Sequence, residues 1–479
     1  MQWLLDAISW IQGLGPTVML PIVIFIIGLI FGAKPAKALR AAITIGVAFI
    51  GINLVIGLLG GSLGSAAQAL ALRTGVKLNI IDVGWPAAAA IAFGGTVGLY
   101  IIPVSLLVNI VMLLVRGTKT LNVDIWNFWH FAFTGGLVYV MTQDLALALA
   151  VAALNAAIVL FLADWTAPGI QALYGLPGIS IPHGFTAAYV PIAIPLNKLI
   201  DLIPGLNKLK ADPDSIRRKF GVFGEPLMVG VFLGLIIGML AYLGDATVGT
   251  LGVQIQKILA LAMNLGAVML LLPRMVSILM EGLIPISQAA GEFMQKRFHG
   301  GEFYIGLDSA ILVGHPSAIA IGLILAPITI AIAIGLAALG LNQVLPFTDL
   351  AVLPFMLAMA APVTRGNIVR GVIIGTFIII FGLMIGTAMS PLHTLAAIDA
   401  KFAMPEGAAA IASICDGTNP LTFGLVNLAK LGWIGVALGT ILLAVIIFFY
   451  KKNAHAWEVI AGGPETEVKE EEVKKVAKK

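Results

Sequence analysis

The sequence predicts an all-α integral membrane protein with about eleven transmembrane helices, built from two weakly similar halves. Two observations support this prediction. Hydrophobic residues make up 59% of the chain and charged residues only 11%, whereas a soluble domain carries about 25% charged residues. Short motifs of the first half also return in the second half in the same order. A duplicated and strongly apolar chain is typical of transporters, which bind their substrate where the repeats meet.

Four pairs of short segments define the repeat. Each match is weak by itself, because the chain contains 54 glycines and is apolar throughout. Four matches in one order nevertheless indicate a duplication. The paired segments are 15–16 with 224–226, 83–86 with 313–316, 123–124 with 348–349, and 180–184 with 413–417.

Eleven apolar stretches approach the length of a membrane-spanning helix, which needs about 20 mostly apolar residues. They lie near 16–33, 41–60, 86–115, 144–163, 183–202, 226–243, 255–274, 312–340, 367–390, 408–429 and 433–450. Two apolar stretches, 129–143 and 350–364, are too short to cross and are predicted to be re-entrant segments. Two amphipathic stretches, 61–80 and 281–302, are predicted to lie along the membrane surface.

The distribution of Lys and Arg predicts the orientation of the chain in the membrane. These residues concentrate in alternate loops, whereas the loops around 61–80, 164–175 and 244–254 contain few of them. The basic positions are Lys34, Lys37, Arg40, Arg116, Lys119, Lys208, Lys210, Arg217, Arg218, Lys219, Lys451 and Lys452. The pattern predicts an amino terminus outside and a carboxyl terminus in the cytoplasm. Five crossings per half then make the second repeat inverted relative to the first.

The predicted organisation has five parts. They are a first inverted repeat at 1–203, a basic cytoplasmic linker at 204–222, a second inverted repeat at 223–430, a final span at 431–452 and a charged cytoplasmic tail at 453–479. From residue 461 onwards the tail becomes rich in Glu and Lys. This composition favours disorder or a loosely solvated helix over a specific docking element.

The strongest candidate site residues are His183 and Asp416, which occupy equivalent positions in the two halves. Ionisable residues inside spans are costly and usually functional. Both stand beside glycine in Pro/Gly-rich stretches, which interrupt a helix and free backbone groups. A carboxylate accepts hydrogen bonds from hydroxyl groups and a neutral imidazole both donates and accepts them, which suits an uncharged polyhydroxy substrate. The alternative is a structural hydrogen bond that joins the repeats.

A second candidate pair, Trp85 and His315, precedes a proline in each half. An indole or an imidazole at this position can stack on a sugar-like chain or bind its hydroxyl groups. Asp82 and Asp308 stand close by in the sequence. Two structural explanations remain open, because proline commonly begins a helix and tryptophan anchors helices at the membrane interface.

His130 and Thr134 are candidates at the start of the short segment 129–143. They lie four residues apart and therefore on one face of a helix. Asp124 and two tryptophans stand beside them, and the matching place in the second half is also polar. Interface tryptophans explain part of this cluster without any binding function.

The sequence lacks motifs for ATP hydrolysis and for a metal site. It contains neither a Gly-x-x-x-x-Gly-Lys-Ser/Thr phosphate loop nor a His-Glu-x-x-His pair. Cys415 is the single cysteine, which excludes a disulfide framework and a thiolate metal cluster. We therefore expect no metal and no cofactor, and no nucleic-acid partner.

Longer motifs around these residues resemble the galactitol-specific membrane component (IIC) of the bacterial sugar phosphotransferase system. They lie at 82–86, 122–127, 129–130, 181–184, 218–226, 305–308, 314–315, 342–347 and 349–351. The resemblance covers nearly the whole chain outside the charged tail. The segment 416–420 departs from the galactitol pattern, which leaves room for a related polyol.

The resemblance implies a homodimer in the bacterial cytoplasmic membrane, similar in fold to the ascorbate-specific relative. Each subunit would have a dimerising scaffold domain and a transport domain that moves in an elevator-like step. A separate cytoplasmic IIB protein would carry a phosphocysteine, charged from a IIA phosphohistidine, and would phosphorylate the polyol. This chain has neither donor residue in a recognisable setting, so the phosphotransferase activity would belong to the complex. Cys415 is expected to pack or to line the cavity.

Basic residues of the predicted inner loops are candidates for docking the IIB partner. Arg217, Arg218, Lys219, Arg116 and Lys119 would attract an approaching phosphoprotein electrostatically. The alternative is that these residues only set the orientation of the chain.

Two other functions remain open for the whole chain. A proton-coupled secondary transporter of polyols or sugars would use the same inverted repeat, with His183 or Asp416 as the proton carrier. A sensor or channel would show no saturable uptake.

Overall fold

Eighteen α-helices and six short strands form the part of the chain that the structure describes. The computed structural model describes residues 16–74, 79–122, 124, 127–209, 211–297, 303–346, 348–404 and 408–465. The start of the predicted first repeat, Trp126 (one of the two tryptophans beside His130 in the sequence) and the tail from residue 466 lie outside these residues.

The helices and strands follow one another in both halves with few long loops. The helices are α1 (Pro16–Ile30), α2 (Pro35–Thr74), α3 (Gly84–Gly94), α4 (Gly98–Leu114), α5 (Phe128–Thr142), α6 (Leu145–Tyr174), α7 (Gly184–Ala187), α8 (Val190–Asp201), α9 (Pro213–Phe220), α10 (Pro226–Tyr242), α11 (Leu251–Arg297), α12 (Ala310–Val313), α13 (Pro316–Ala338), α14 (Leu353–Ala358), α15 (Ile368–Asp399), α16 (Pro420–Ala429), α17 (Trp433–Lys452) and α18 (Ala454–Ile460). The strands are β1 (Ile80–Asp82), β2 (Thr120–Asn122), β3 (Ile179–Ser180), β4 (Tyr304–Gly306), β5 (Val344–Leu345) and β6 (Ala410–Ala412).

Six of the described helices are long and apolar enough to cross a membrane, namely α2, α6, α11, α13, α15 and α17. A seventh crossing is added if α3 and α4, which meet at an 88° bend, count as one broken span. The prediction of a mostly helical, multi-pass membrane protein is confirmed. The predicted count of about eleven spans is not reached by length and composition among the described residues.

The predictions of continuous spans at 183–202 and 408–429 are wrong. The first stretch contains the four-residue α7 and the twelve-residue α8, and the second contains β6, a 3₁₀ turn and the ten-residue α16. At about 1.5 Å per residue, α8 is about 18 Å long, well short of a hydrocarbon layer of about 30 Å. Proline and glycine divide both stretches, so their apolar length overstates the length of their helices.

The two longest helices, α2 and α11, pack against each other and against α1 and α10. They contain 40 and 47 residues. The predicted surface stretches 61–80 and 281–302 continue these long helices without a break as far as Thr74 and Arg297, and their position along the membrane surface stays a prediction. Apolar side chains such as Leu54 and Leu259 are exposed on these helices, as expected where helices face lipid tails.

The two short apolar stretches each end in a tight turn before a long helix. The fifteen-residue α5 ends at Gln143 (φ 55°), and the Asp144 side chain then caps the first turn of α6. In the second half, Arg365 (φ 54°) follows the 3₁₀ turn after α14, and the Asn367 side chain caps α15. Neither α5 nor α14 is long enough to cross a membrane, which agrees with the prediction that these stretches do not span it.

Two three-stranded parallel sheets combine strands of both halves. Sheet A has the order β5-β1-β6 and sheet B has the order β2-β4-β3. Ile80 pairs with Val344 and with Ala410 in sheet A, and Ile305 pairs with Ile179 in sheet B. Each sheet therefore takes its central strand from one half and its edge strands from the other. The all-α prediction missed these strands, because two or three residues are too few to show an alternating pattern.

Candidate functional site

A cavity lies beyond the carboxyl ends of the strands, and each of the six strands is followed by a residue that lines it. In chain order these residues are Trp85 after β1, Trp129 after β2, His183 after β3, Asp308 after β4, Val352 after β5 and Cys415 after β6. Asn53 and Ile56 of α2, with Phe185, Ala310 and Phe355, complete the lining. The exchange of strands between the halves thus places residues of both halves around one cavity.

Four ionisable side chains form a continuous chain at this cavity. Asp416 Oδ2 lies 2.5 Å from His130 Nδ1, and His130 Nε2 lies 3.1 Å from His183 Nε2. Asp308 Oδ2 stands 3.7 Å from the same nitrogen of His183. His183 and Asp308 line the cavity, whereas His130 and Asp416 are buried beyond them. His183 and Asp416, paired by the sequence repeat, are therefore joined through His130 and not directly.

The partners of the ring nitrogens give this chain a direction. His183 caps α7, where its Nδ1 accepts a hydrogen bond from Thr186 N at 3.4 Å. Its Nε2 therefore carries the proton and donates to Nε2 of His130. His130 in turn donates from Nδ1 to Asp416. The two imidazoles thus connect the cavity wall to a buried carboxylate.

Neither Asp308 nor Asp416 pairs with Lys or Arg in the part of the protein that the structure describes. Asp416 is 0% exposed and Asp308 is 7% exposed. Asp416 Oδ1 instead accepts a hydrogen bond from Asn419 Nδ2 at 3.0 Å. Buried carboxylates without a cationic partner are costly, and in membrane proteins they mark functional sites.

A second acidic pair, Asp82 and Asp349, holds segments of the cavity wall in place. Asp349 Oδ1 accepts from Trp85 N at 2.6 Å, while Oδ2 accepts from Ser413 Oγ at 2.5 Å and from Cys415 N at 3.2 Å. Asp82 Oδ2 accepts from Asp349 N at 2.8 Å. Asp82, a candidate ligand from the sequence, is not among the residues that line the cavity. The pair positions the backbone of Trp85 and Cys415, which do line it.

Thr134 is buried one helical turn after His130 and does not line the cavity. Its Oγ1 accepts a hydrogen bond from Asn155 Nδ2 at 2.8 Å and shares another with Thr422 Oγ1 at 3.0 Å. These contacts join α5, which carries His130, to α6 and α16. Thr134 therefore supports the helix that carries the site.

His315 lies apart from this cavity. It caps the start of α13, where its Nδ1 accepts a hydrogen bond from Ser317 N at 3.2 Å. Its ring contacts the ring of Tyr174 with centroids 5.0 Å apart. The structure thus brings only Trp85 of the Trp85–His315 pair to the cavity lining.

Part of the predicted docking group lies on α9. Arg218 and Lys219 are exposed there, and Arg218 Nη2 donates to Ser215 Oγ at 3.1 Å. The side chain of Arg217 lies outside the described atoms. The short helix therefore presents at least two basic side chains to solvent.

The other predicted docking residues, Arg116 and Lys119, lie in the loop after α4. Arg116 is exposed, and Lys451 Nζ at the end of α17 donates to its carbonyl oxygen at 2.5 Å. Lys119 Nζ lies 5.7 Å from the centre of the Tyr304 ring. This loop and the end of α17 bring basic residues from distant parts of the chain together.

His130, Cys415 and Asp416 offer three potential metal-binding atoms within 4.8 Å of one another. The two nearest, His130 Nδ1 and Asp416 Oδ2, lie 2.5 Å apart. Ligands that each stand about 2 Å from a tetrahedral ion are separated by roughly 3 Å or more. The observed distance fits a shared proton better than a shared metal ion.

Most of the residues that line the cavity were not predicted as ligands, and Trp129, Asn53 and Phe355 are three of them. Trp129 lies beside His130, with ring centroids 4.1 Å apart, and its place in the predicted polar cluster was an available signal. Asn53 is a polar residue inside the apolar α2, which is also a signal for function. Phe355 is an ordinary apolar residue in the sequence, and only the fold reveals its position.

Comparisons with known proteins agree with the membrane architecture. A family model described as the PTS system sugar-specific permease component, EIIC-GAT, matches residues 10–407. The PTS system galactitol-specific EIIC component of Escherichia coli K12 is 43% identical over 422 residues, which cover 88% of this chain and 90% of that protein. The protein of the same description from Escherichia coli O157:H7 matches to the same extent. The family match includes His130, His183 and Asp308 and ends before Asp416.

Proposed function

Because the chain belongs to the family of PTS sugar-specific permease components, we propose that it carries galactitol, or a closely related polyol, across the membrane and presents it for phosphorylation. Its multi-pass apolar helices and its family membership support a transporter subunit. The polyol is suggested by the two E. coli relatives, whose descriptions specify galactitol.

The observation that carries this proposal is the chemistry of the cavity wall. Asp308 and His183 offer hydrogen-bonding groups, Trp85 and Trp129 offer flat apolar faces, and no Lys or Arg is among the described residues that line it. An uncharged polyol supplies hydroxyl groups for the former and a carbon chain for the latter. A phosphate ester would instead place negative charge beside Asp308. Phosphorylation therefore favours release of the product.

The proposed partners and membrane orientation complete this function. A phosphorylated IIB protein, itself charged by IIA, would approach from the cytoplasm and use basic residues of α9 and of the loop after α4 for docking. The amino terminus would lie outside and the carboxyl terminus inside. The exposure of Arg116, Arg218 and Lys219 supports this docking.

We further propose two inverted repeats, at 1–203 and 223–430, and a homodimer in which a transport domain moves against a scaffold. The strand exchange supports the repeat, because β1, β2 and β3 of the first half have β4, β5 and β6 as counterparts in the second. The mutual packing of α1, α2, α10 and α11 supports a separate scaffold. The short helices α5 and α14 would be re-entrant segments of the transport domain.

Reconstituted vesicles test this function directly. With phosphorylated IIB on one side and radiolabelled galactitol on the other, we expect galactitol phosphate to appear only on the IIB side. Vesicles without IIB should bind galactitol but not accumulate it. Absence of galactitol phosphate in the complete system would contradict the proposal.

A proton-coupled polyol transporter is the second candidate, and the chain from Asp308 to Asp416 favours it because such chains carry protons in transporters. It predicts that a proton gradient alone drives concentrative uptake of unmodified galactitol. The same vesicles, without IIB and with an imposed pH difference, distinguish the two functions.

A further inference from the structure

Asp82 at the end of β1 and Asp308 just after β4 use their carboxylates differently. At sheet A, both carboxylate oxygens of Asp82 accept backbone hydrogen bonds, from Gly84 N at 3.1 Å and from Asp349 N at 2.8 Å. At sheet B, Asp308 Oδ1 accepts from Ala310 N at 2.7 Å. Asp308 Oδ2 has no hydrogen-bond donor among the described residues and stands 3.7 Å from His183 Nε2. One oxygen of Asp308 is therefore left available at the cavity.

The other three groups of the chain have no such free acceptor. His183 uses Nδ1 to accept from Thr186 N and Nε2 to donate to His130. His130 uses both nitrogens, and Asp416 receives His130 on one oxygen and Asn419 on the other. Among these four ionisable groups, Asp308 Oδ2 is thus the acceptor atom that a substrate hydroxyl group can reach from the cavity without breaking a described hydrogen bond.

We propose that Asp308 is a catalytic residue, the general base that accepts the proton of the substrate hydroxyl group during phosphoryl transfer. This inference rests on the proposed function. An oxygen–phosphorus bond forms as the phosphorus–sulfur bond of the IIB phosphocysteine breaks, and the thiolate leaves with the electron pair. The hydroxyl proton moves to Asp308 Oδ2. A correctly placed carboxylate orients the attacking hydroxyl group and removes its proton as charge develops.

The neighbouring histidine fits this role. His183 Nε2–H lies between His130 Nε2 at 3.1 Å and Asp308 Oδ2 at 3.7 Å. The imidazole of His183 therefore stands beside the Asp308 carboxylate without occupying its free oxygen. Loss of the base at Asp308 should then affect phosphoryl transfer separately from substrate binding.

The test uses the full-length protein with phosphorylated IIB and radiolabelled galactitol. Asp308→Asn keeps an oxygen for Ala310 N and a hydrogen-bonding group at the cavity, but it removes the base. We expect the single-turnover rate of galactitol phosphate formation to fall about 100-fold or more, while the Kd for galactitol changes about threefold or less. The matched control is Asp399→Asn, because Asp399 lies outside the cavity lining and accepts from Thr96 N at 2.8 Å. Its rate should stay near that of the wild type.

Other outcomes overturn the inference in distinguishable ways. A rate for Asp308→Asn within tenfold of the wild type would exclude a base at this position, and equal losses of binding and rate would reduce Asp308 to a binding contact. Wild-type protein that binds galactitol but forms no phosphate ester with IIB would refute the proposed function itself. If Asp308→Asn fails to insert, Asp308→Glu and Asp308→Gln form a second matched pair. Phosphoryl transfer should then be at least tenfold faster with Asp308→Glu than with Asp308→Gln. Equal rates would refute the role of Asp308 as the general base.

Discussion

At the scale of single residues, His183 and Asp416 would contribute differently to the proposed binding of a polyol. His183 lines the cavity, where its ring would touch a bound polyol. Asp416 is fully buried and is connected to the cavity only through His130 and His183. Loss of His183 removes a contact, whereas loss of the Asp416 carboxylate removes the acceptor that orients both imidazole rings. Both changes should weaken binding, for these two separate reasons.

We predict that His183→Ala and Asp416→Ala each weaken galactitol binding by about 10- to 100-fold, the cost of losing a charged or charge-linked hydrogen bond. Equilibrium binding of radiolabelled galactitol to purified protein measures this effect. His455→Ala is the matched control, because His455 is partly exposed and hydrogen-bonds the Glu465 carbonyl oxygen away from the cavity. Wild-type affinity in both site variants would show that the connected side chains from His183 to Asp416 have only a structural role.

At the scale of elements, the site depends on a close approach between α5 and α7. A Cβ atom on Gly184, the first residue of α7, would stand 2.6 Å from His130 Cβ on α5. The His130–His183 hydrogen bond bridges these two elements. The absence of a side chain at Gly184 is therefore what allows the two imidazole rings to meet.

We predict that Gly184→Ala lowers the stability of the protein by about 1–3 kcal/mol, as overpacking does in a closely packed core, and also weakens galactitol binding. Gly136→Ala on α5 is the matched control, because a Cβ there meets nothing within 4 Å. Thermal unfolding in detergent and galactitol binding measure the two effects. Equal unfolding temperatures and equal galactitol affinities of the two variants would mean that the contact between α5 and α7 accommodates the added methyl group without loss of stability or binding.

At the scale of the whole molecule, the strand exchange makes the two halves depend on each other. Sheet A needs β1 from the first half, and sheet B needs β4 from the second. Neither half can complete a sheet, or the cavity that follows both sheets, by itself. The halves should therefore assemble only together.

We predict that fragments 1–203 and 223–479, expressed together, copurify and bind galactitol, whereas either fragment expressed alone is degraded or aggregates. Affinity purification through a tag on one fragment, followed by detection of the other, measures the assembly. Stable and monodisperse accumulation of the first fragment alone would contradict the interdependence of the halves.

The sequence predicts the membrane class and many residues of the candidate site, because both depend on local chemistry. Apolar composition identifies the long helices, and the repeat identifies His183 and Asp416. Apolar length fails at 183–202 and 408–429, because residues buried within the protein are as apolar as residues that face lipid. The bridging position of His130 and the displacement of His315 from the cavity depend on how distant segments pack. A single sequence does not contain that distance information in any local pattern.

The exchanged strands also impose an order on the making of the protein. Tyr304 follows Ser180 by 124 residues, so the edge strands of sheet B leave the ribosome long before their central strand. At roughly 5–20 residues per second, the delay is about 6 to 25 s. In sheet A the order of synthesis is reversed, because the central strand β1 is made before both edge strands, β5 and β6. Until the second half is made, β1, β2 and β3 all lack their partner strands, so we expect the nascent first half to depend on a chaperone or on the insertion machinery.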